Sequence, residues 1–177
     1  NYFRYSNFVS SIDNSNDAIT NNTTKVELEI EKQITLNARA QYVFYFNNEI
    51  LPETLTSTKF KVMNSNNFLC IEDDGSSKLK FFYTDVNNKK VYVSDVTGTI
   101  DYSKGTITLN DLTIDELENS ADSLKIRLSP KDQDIFPKRN QILTIDLQET
   151  TINMMPDTDD YNNNYDITTQ NVSIIRR

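Results

Sequence analysis

Hydrophobic and polar residues along the chain fall into two regimes. Over residues 1–20 the apolar positions repeat with a helical period. Tyr5, Phe8, Val9 and Ile12 lie at i, i+3, i+4 and i+7, one face of a short helix. Asp13-Asn14-Ser15-Asn16-Asp17 ends it. This stretch reads as the last turns of a preceding domain or as a docking helix. From residue 25 the period shortens to two. In KVELEIEKQITL, Val26, Leu28 and Ile30 share one side and Glu27, Glu29 and Glu31 the other, which predicts a half-buried strand with a solvated acidic face. QYVFYFNNEI is apolar on both faces and predicts a central strand.

Further short apolar runs follow: KFKVM, FLCIE, KLKFFYTDV, KVYVSDV, SLKIRLSP and NQILTIDLQETTINMM. Between them stand turn signals. Asp73-Asp74-Gly75-Ser76 and Asn87-Asn88 predict tight turns, and Lys104-Gly105 the turn of a hairpin in TGTIDYSKGTITL. LTIDELENSAD is ambiguous: Thr113 to Glu116 fits a capping box, yet the stretch is short for a helix. Strands recurring about every ten residues, without helical stretches between them, define a mainly β fold. The expected architecture is an antiparallel sandwich or barrel-like β-domain, or a pair of them, with a short N-terminal helix and an extended polar C-terminal arm. The expected division is 1–24 as the end of a preceding domain, 25–98 as a first β-domain or sheet, 99–150 as a second β region, and 151–177 as an arm or tail. That last stretch is polar until Val172, Ile174 and Ile175. It reads either as a tail or as an arm whose final strand pairs with another subunit's sheet edge. Only three glycines serve this turn-rich chain, so Asn and Asp are expected at left-handed positions.

Composition narrows the functional classes. The 177 residues suffice for a sizeable core, and 10% aromatic content argues against disorder. Mean hydropathy is -0.58 and no apolar run is long enough to span a bilayer. The formal charge is -8, with 18 basic residues scattered along the chain, which argues against nucleic acid or an anionic membrane as partner. The single cysteine, Cys70, permits no internal disulfide and reads as a small buried hydrophobe in a reducing cytoplasm. The chain opens on Asn1 rather than Met and reads as a piece of something longer.

Little in the chain points to chemistry. Without histidine there is no Ser-His-Asp or Cys-His arrangement, and one cysteine cannot build a zinc cage. No glycine-rich phosphate loop is present. The acidic clusters at 72–74 and 157–160 lack the ligand pattern of a calcium loop and read as solvated turns. The expectation is a protein that is not an enzyme and carries no cofactor or metal. A carboxylate-pair hydrolase finds no positive support. The one concentrated feature is SPKDQDIFPKRNQIL, residues 129–143. Pro130 and Pro137 bracket a loop holding Lys131, Asp132, Asp134, Lys138 and Arg139. Arg139 can clamp Asp132 or Asp134 through two parallel bonds, or the braced loop can face a neighbouring chain. The candidate interface and bracing residues are therefore Asp132, Asp134, Pro137, Arg139, Asn140, Ile174 and Ile175.

SLKIRLSPKDQDIFPKRNQILTID resembles the C-terminal region of the large baseplate wedge protein of T-even-like contractile-tailed bacteriophages, within the baseplate-J-like family. The matching positions are Pro130, Asp134-Ile135, Pro137, and Arg139-Asn140 running into Ile142-Leu143. YFRYSNFVSSIDNSNDAIT is similar to the segment that closes the helical part of that family and enters its β-domains. YVFYFNNEI, CIEDDGSSKLKFF and GTIDYSKGTITL resemble its strand and hairpin elements, so the likeness covers most of the chain. The resemblance implies a structural virion protein of the tail baseplate, assembled in the host cytoplasm. It further implies a homodimer joined into a ring through C-terminal contacts and bound to other wedge proteins, with Arg177 the expected end. The alternative class is a ligand- or glycan-binding β-sandwich of adhesin type, which needs solvent-facing aromatics grouped as a platform.

Overall fold

The computed structural model describes residues 3–63, 65–93, 97–135, 143–145, 147, 150–155 and 175–176. Two compact units divide the chain: a larger one, Leu28–Asp132, and a smaller one formed by Asn1–Glu27 with Gln133–Arg177. The larger unit includes both the end of the expected first β region and the start of the expected second.

Among the described residues the larger unit contains ten strands: β1 Leu28–Gln33, β2 Arg39–Tyr45, β3 Thr56–Ser57, β4 Phe60–Val62, β5 Cys70–Asp73, β6 Leu79–Thr84, β7 Lys90–Val93, β8 Thr97–Asp101, β9 Thr106–Leu117 and β10 Ser123–Leu128. All the strand pairings described are antiparallel. β10 lies between β1 and β3. β9 takes β2 on one side and β8 and β4 on the other. β5, β6 and β7 form a three-stranded meander. The arrangement is sandwich-like, one of the architectures that the recurrence of short strands predicts, and it closes no barrel. Isolated bridges, Phe60 to Leu69 and Lys78 to Thr99, link neighbouring sheets.

The core is aliphatic and phenylalanine-rich. Phe44, Phe46, Phe60, Phe81, Ile107, Leu109, Ile114 and Leu124 are essentially inaccessible to solvent. The rings of Phe60 and Phe81 meet edge to face at 6.4 Å. Each such side chain contributes about 1.5–3 kcal/mol through burial. Alternation along β9 buries Ile107 and Leu109, then Leu112, Ile114 and Leu117. Two register shifts cause the change of spacing. Ala40 faces Leu112 while Tyr42 faces Leu109, so β9 holds an extra residue near Asp111, which takes φ 47°. A second bulge lies between Ile114 and Glu116. The ambiguous LTIDEL stretch is thus strand, followed by one 3-10 turn at Glu118–Ser120. Its spacings of three come from bulges, not from a helix.

Asn and Asp do take left-handed positions: Asn37, Asn47, Asn88, Asp111 and Asn119 have positive φ, alongside Gly75 and Gly105. Gly105 closes the β8–β9 hairpin. A Cβ there would stand 2.1 Å from the Asn48 carbonyl oxygen.

Three readings need correction. Glu29 is not on a solvated face; it is 1% exposed. The β1–β10 register sets it opposite Arg127, whose Nε donates to its carboxylate, and Lys125 Nζ stands 3.5 Å away. A buried carboxylate needs such partners. β2 is not central: β9 is its only partner among the described strands, and Tyr45 is 57% exposed. Lys32 Nζ donates to the Val43 carbonyl and so caps part of that edge. Asp73, read as part of a solvated turn, is buried.

The smaller unit holds α1, Tyr5–Asp13, and a short antiparallel pair, β11 Leu143–Thr144 with β12 Ile175–Arg176. Tyr5, Phe8, Val9 and Ile12 are the half-buried face of α1, as their spacing predicts. Phe3 and Ile135 form a two-bond bridge, and the rings of Phe3 and Phe8 lie 5.6 Å apart. The second acidic cluster, 157–160, and residues 156–174 of the expected arm lie outside the described residues.

Candidate interaction surfaces

The charged loop is tied by backbone contacts on its N-terminal side. Ser129 accepts from Leu51 N–H and donates its own N–H to Thr54 Oγ1. Pro130 bridges Ile50, Lys131 N–H donates to the Glu49 carbonyl, and Lys131 Nζ meets the Glu49 carboxylate at 2.8 Å. That contact raises the Lys131 pKa, through the hydrogen bond first and the opposite charge second. Asp132 is exposed. Within the smaller unit, Asp134 Oδ1 accepts the Tyr5 N–H at 2.9 Å. Arg4 supplies no side-chain cap, so this distant carboxylate serves the N-terminus of α1, where the helix dipole favours negative charge. Sequence reasoning placed Asp134 in a bracing role but expected an arginine partner. Pro137, Arg139, Asn140 and Ile174 lie outside the described residues, and of Ile175 the strand backbone alone is described.

The carboxylate that sequence reasoning missed is Asp73. Its Oδ2 accepts Glu53 N–H at 2.6 Å and the Tyr102 hydroxyl at 2.7 Å, and its Oδ1 accepts Leu55 N–H at 3.0 Å. It fastens the 53–55 segment to two hairpins. Burial, then the Asp73 hydrogen bond, raise the Tyr102 pKa. The arrangement is structural: every oxygen of Asp73 is engaged. The strict alternation in CIED was the available signal, because Ile71 and Asp73 share a face.

The outward face of β5–β6–β7 gathers a different set. Cys70, Phe82 and Tyr92 pair across the three strands. The Phe82 and Tyr92 rings lie 6.0 Å apart at 59°. Lys90 Nζ stands 4.4 Å over the Phe82 ring and Lys80 Nζ 5.8 Å over Tyr92. Glu72 takes the Tyr92 hydroxyl at 2.7 Å and the Lys90 ammonium. Hydrogen bonding to Glu72 raises both the Tyr92 and the Lys90 pKa. Tyr92 is 53% exposed. Cys70 is half-buried, and burial pushes its thiol pKa up, which disfavours the reactive thiolate.

A second exposed set is apolar. Ile145, Leu147, Ile152, Met154 and Met155 stand open to solvent within one stretch of the smaller unit, with Leu147 80% and both methionines about 75% exposed. Isolated exposed apolar residues are ordinary, whereas these five fall within eleven positions of the sequence. Among the described residues no group of acidic, cysteine or histidine side chains is arranged to hold a metal ion, and no helix is long and apolar enough to cross a membrane.

Comparison with known proteins returns no match: no family model, curated protein or solved structure resembles the chain significantly.

Proposed function

We propose that the chain is an assembly module: the C-terminal part of a wedge subunit in a contractile-tail baseplate, working through contacts between protein surfaces. The observation that carries this reading is the exposed apolar run from Ile145 to Met155. Five large hydrophobic side chains facing water are costly to leave bare and suited to burial against another chain. A specific contact of this kind buries on the order of 1,600 Å² in total. The motif order described above and the mainly β fold are consistent with that role. Homotypic association, a ring of dimers and binding to other wedge proteins belong to the same proposal.

Immunogold labelling tests the location. Antibody raised against the chain should decorate the tail end of virions of the phage that encodes it. Gold absent from intact and detergent-opened virions alike would overturn the virion reading. A second reading, a glycan-binding module, draws on the paired Phe82 and Tyr92 rings on an open sheet face. Its ring faces already carry lysine ammonium groups, which weakens it as a sugar platform. A glycan array with binding abolished by Tyr92→Ser would favour that second reading over the first.

A further inference from the structure

Three lysines on or beside β6 and β7 differ from most others of the chain in having no described ion pair, while Lys90 on β7 pairs with Glu72. Lys59, Lys61, Lys104, Lys125 and Lys131 each pair with a carboxylate. Lys78, Lys80 and Lys89 have no ion pair among the described residues, and all three sit on or beside β6 and β7. Carboxylates are not scarce there. Asp73 accepts backbone amides, Asp74 accepts Ser76 and Lys78 N–H, and Asp85 accepts Asn87 and Lys89 N–H. Glu72 is already engaged by Lys90 and Tyr92. The three aspartates are therefore directed at backbone and Glu72 at Lys90 and Tyr92, which leaves Lys78, Lys80 and Lys89 without a carboxylate of their own among the described residues. This happens in a chain whose formal charge is -8.

Strand alternation puts Lys78 and Lys80 on the same side of β6 as Phe82, opposite buried Leu79 and Phe81. Tyr92 stands beside them on β7. Lysines without a carboxylate partner, one of them over the ring of a half-exposed tyrosine, suit a ligand that brings negative charge and flat apolar groups together. A bare anion would gain nothing from the rings, and a neutral sugar nothing from the charge. Opposite charge across an interface speeds encounter and selects partners, while a half-exposed tyrosine supplies buried area.

We propose that the outward face of β5–β6–β7 binds an acidic polypeptide segment containing aromatic residues. The proposal does not rest on the virion reading: a chain absent from virions can still hold such a segment.

The test uses the whole chain and a fluorescein-labelled peptide of about a dozen residues alternating Glu and Tyr, with a Gln–Tyr peptide as control. Fluorescence anisotropy should show the acidic peptide binding at least about tenfold tighter than the control, with affinity falling severalfold between low salt and about 0.2 M. Lys78→Gln with Lys80→Gln should weaken binding at least about fivefold, and Tyr92→Ser at least about threefold, while the urea unfolding midpoint holds for each. Equal binding of the two peptides, no binding of either, or full affinity in the lysine double variant would overturn the proposal. So would a fall in the chain's own mass in that double variant by light scattering, because the face would then join copies of this chain.

Discussion

Replacing Asp73 by alanine removes one buried acceptor from three donors, which makes its cost calculable. Leu55 N–H is buried, so losing its partner at 3.0 Å leaves an unsatisfied donor, worth about 1–3 kcal/mol. Glu53 N–H and the Tyr102 hydroxyl are only partly buried and can recover some hydration, so each loss costs about 0.5–1.5 kcal/mol. The sum centres on about 4 kcal/mol. Asp73→Asn should cost about 2 kcal/mol, because one carboxamide oxygen remains while the amide nitrogen faces other donors. Tyr102→Phe should cost about 1 kcal/mol, the loss of a single bond. The chain has no tryptophan, so urea unfolding is best followed by circular dichroism. A loss below about 0.5 kcal/mol for Asp73→Ala would refute the claim that this carboxylate fastens the 53–55 segment.

Gly105→Ala should destabilise by about 3 kcal/mol or more, since its Cβ would meet Asn48 backbone at 2.1 Å in a left-handed conformation, whereas Gly75→Ala, facing only the flexible Glu53 side chain, should cost about 1–2 kcal/mol; urea midpoints check the order. Asp134→Ala should speed amide exchange over the first turn of α1 and cost about 1 kcal/mol, while Asp134→Asn should preserve most of the protection. Asp101 is lowered from 3.8 to about 2, chiefly by the Lys104 N–H, then by the Ser103 hydroxyl. Its folded value is depressed, so its contribution is present above pH 4 and is lost as pH falls towards 2; Asp101→Asn should flatten that acid limb of a stability-against-pH curve.

The strand pattern was legible because period-two alternation and turn residues act locally. Asn88, Gly75 and Gly105 occupy the turns their chemistry suits. The α1 face could be read for the same reason. What failed depended on partners distant in sequence. Glu29 looks like any exposed strand glutamate until Arg127, on β10, arrives opposite it. Asp73 looks like its neighbour Asp74, yet one faces the interior and the other the turn. β2 looks central because Val43 and Tyr45 are apolar, but tyrosine tolerates exposure and Lys32 covers the edge. The bulges in β9 imitate helical spacing. Among the seven candidate interface and bracing residues, Asp134 has a described side-chain contact, which caps a helix at the other end of the chain, and Ile175 pairs through its backbone with Thr144. The exposed run at 145–155 was read simply as strand, because hydrophobic patterning cannot say whether a face is covered.

Self-association is where the account stands or falls. Sedimentation equilibrium over a dilution series should give a mass above that of one 20.5 kDa chain at high micromolar concentration. The Leu147→Ser, Met154→Ser, Met155→Ser variant should sediment as a single chain under the same conditions. A wild-type chain that remains monomeric throughout, or a triple variant that associates as strongly as wild type, would contradict an assembly role for the 145–155 surface.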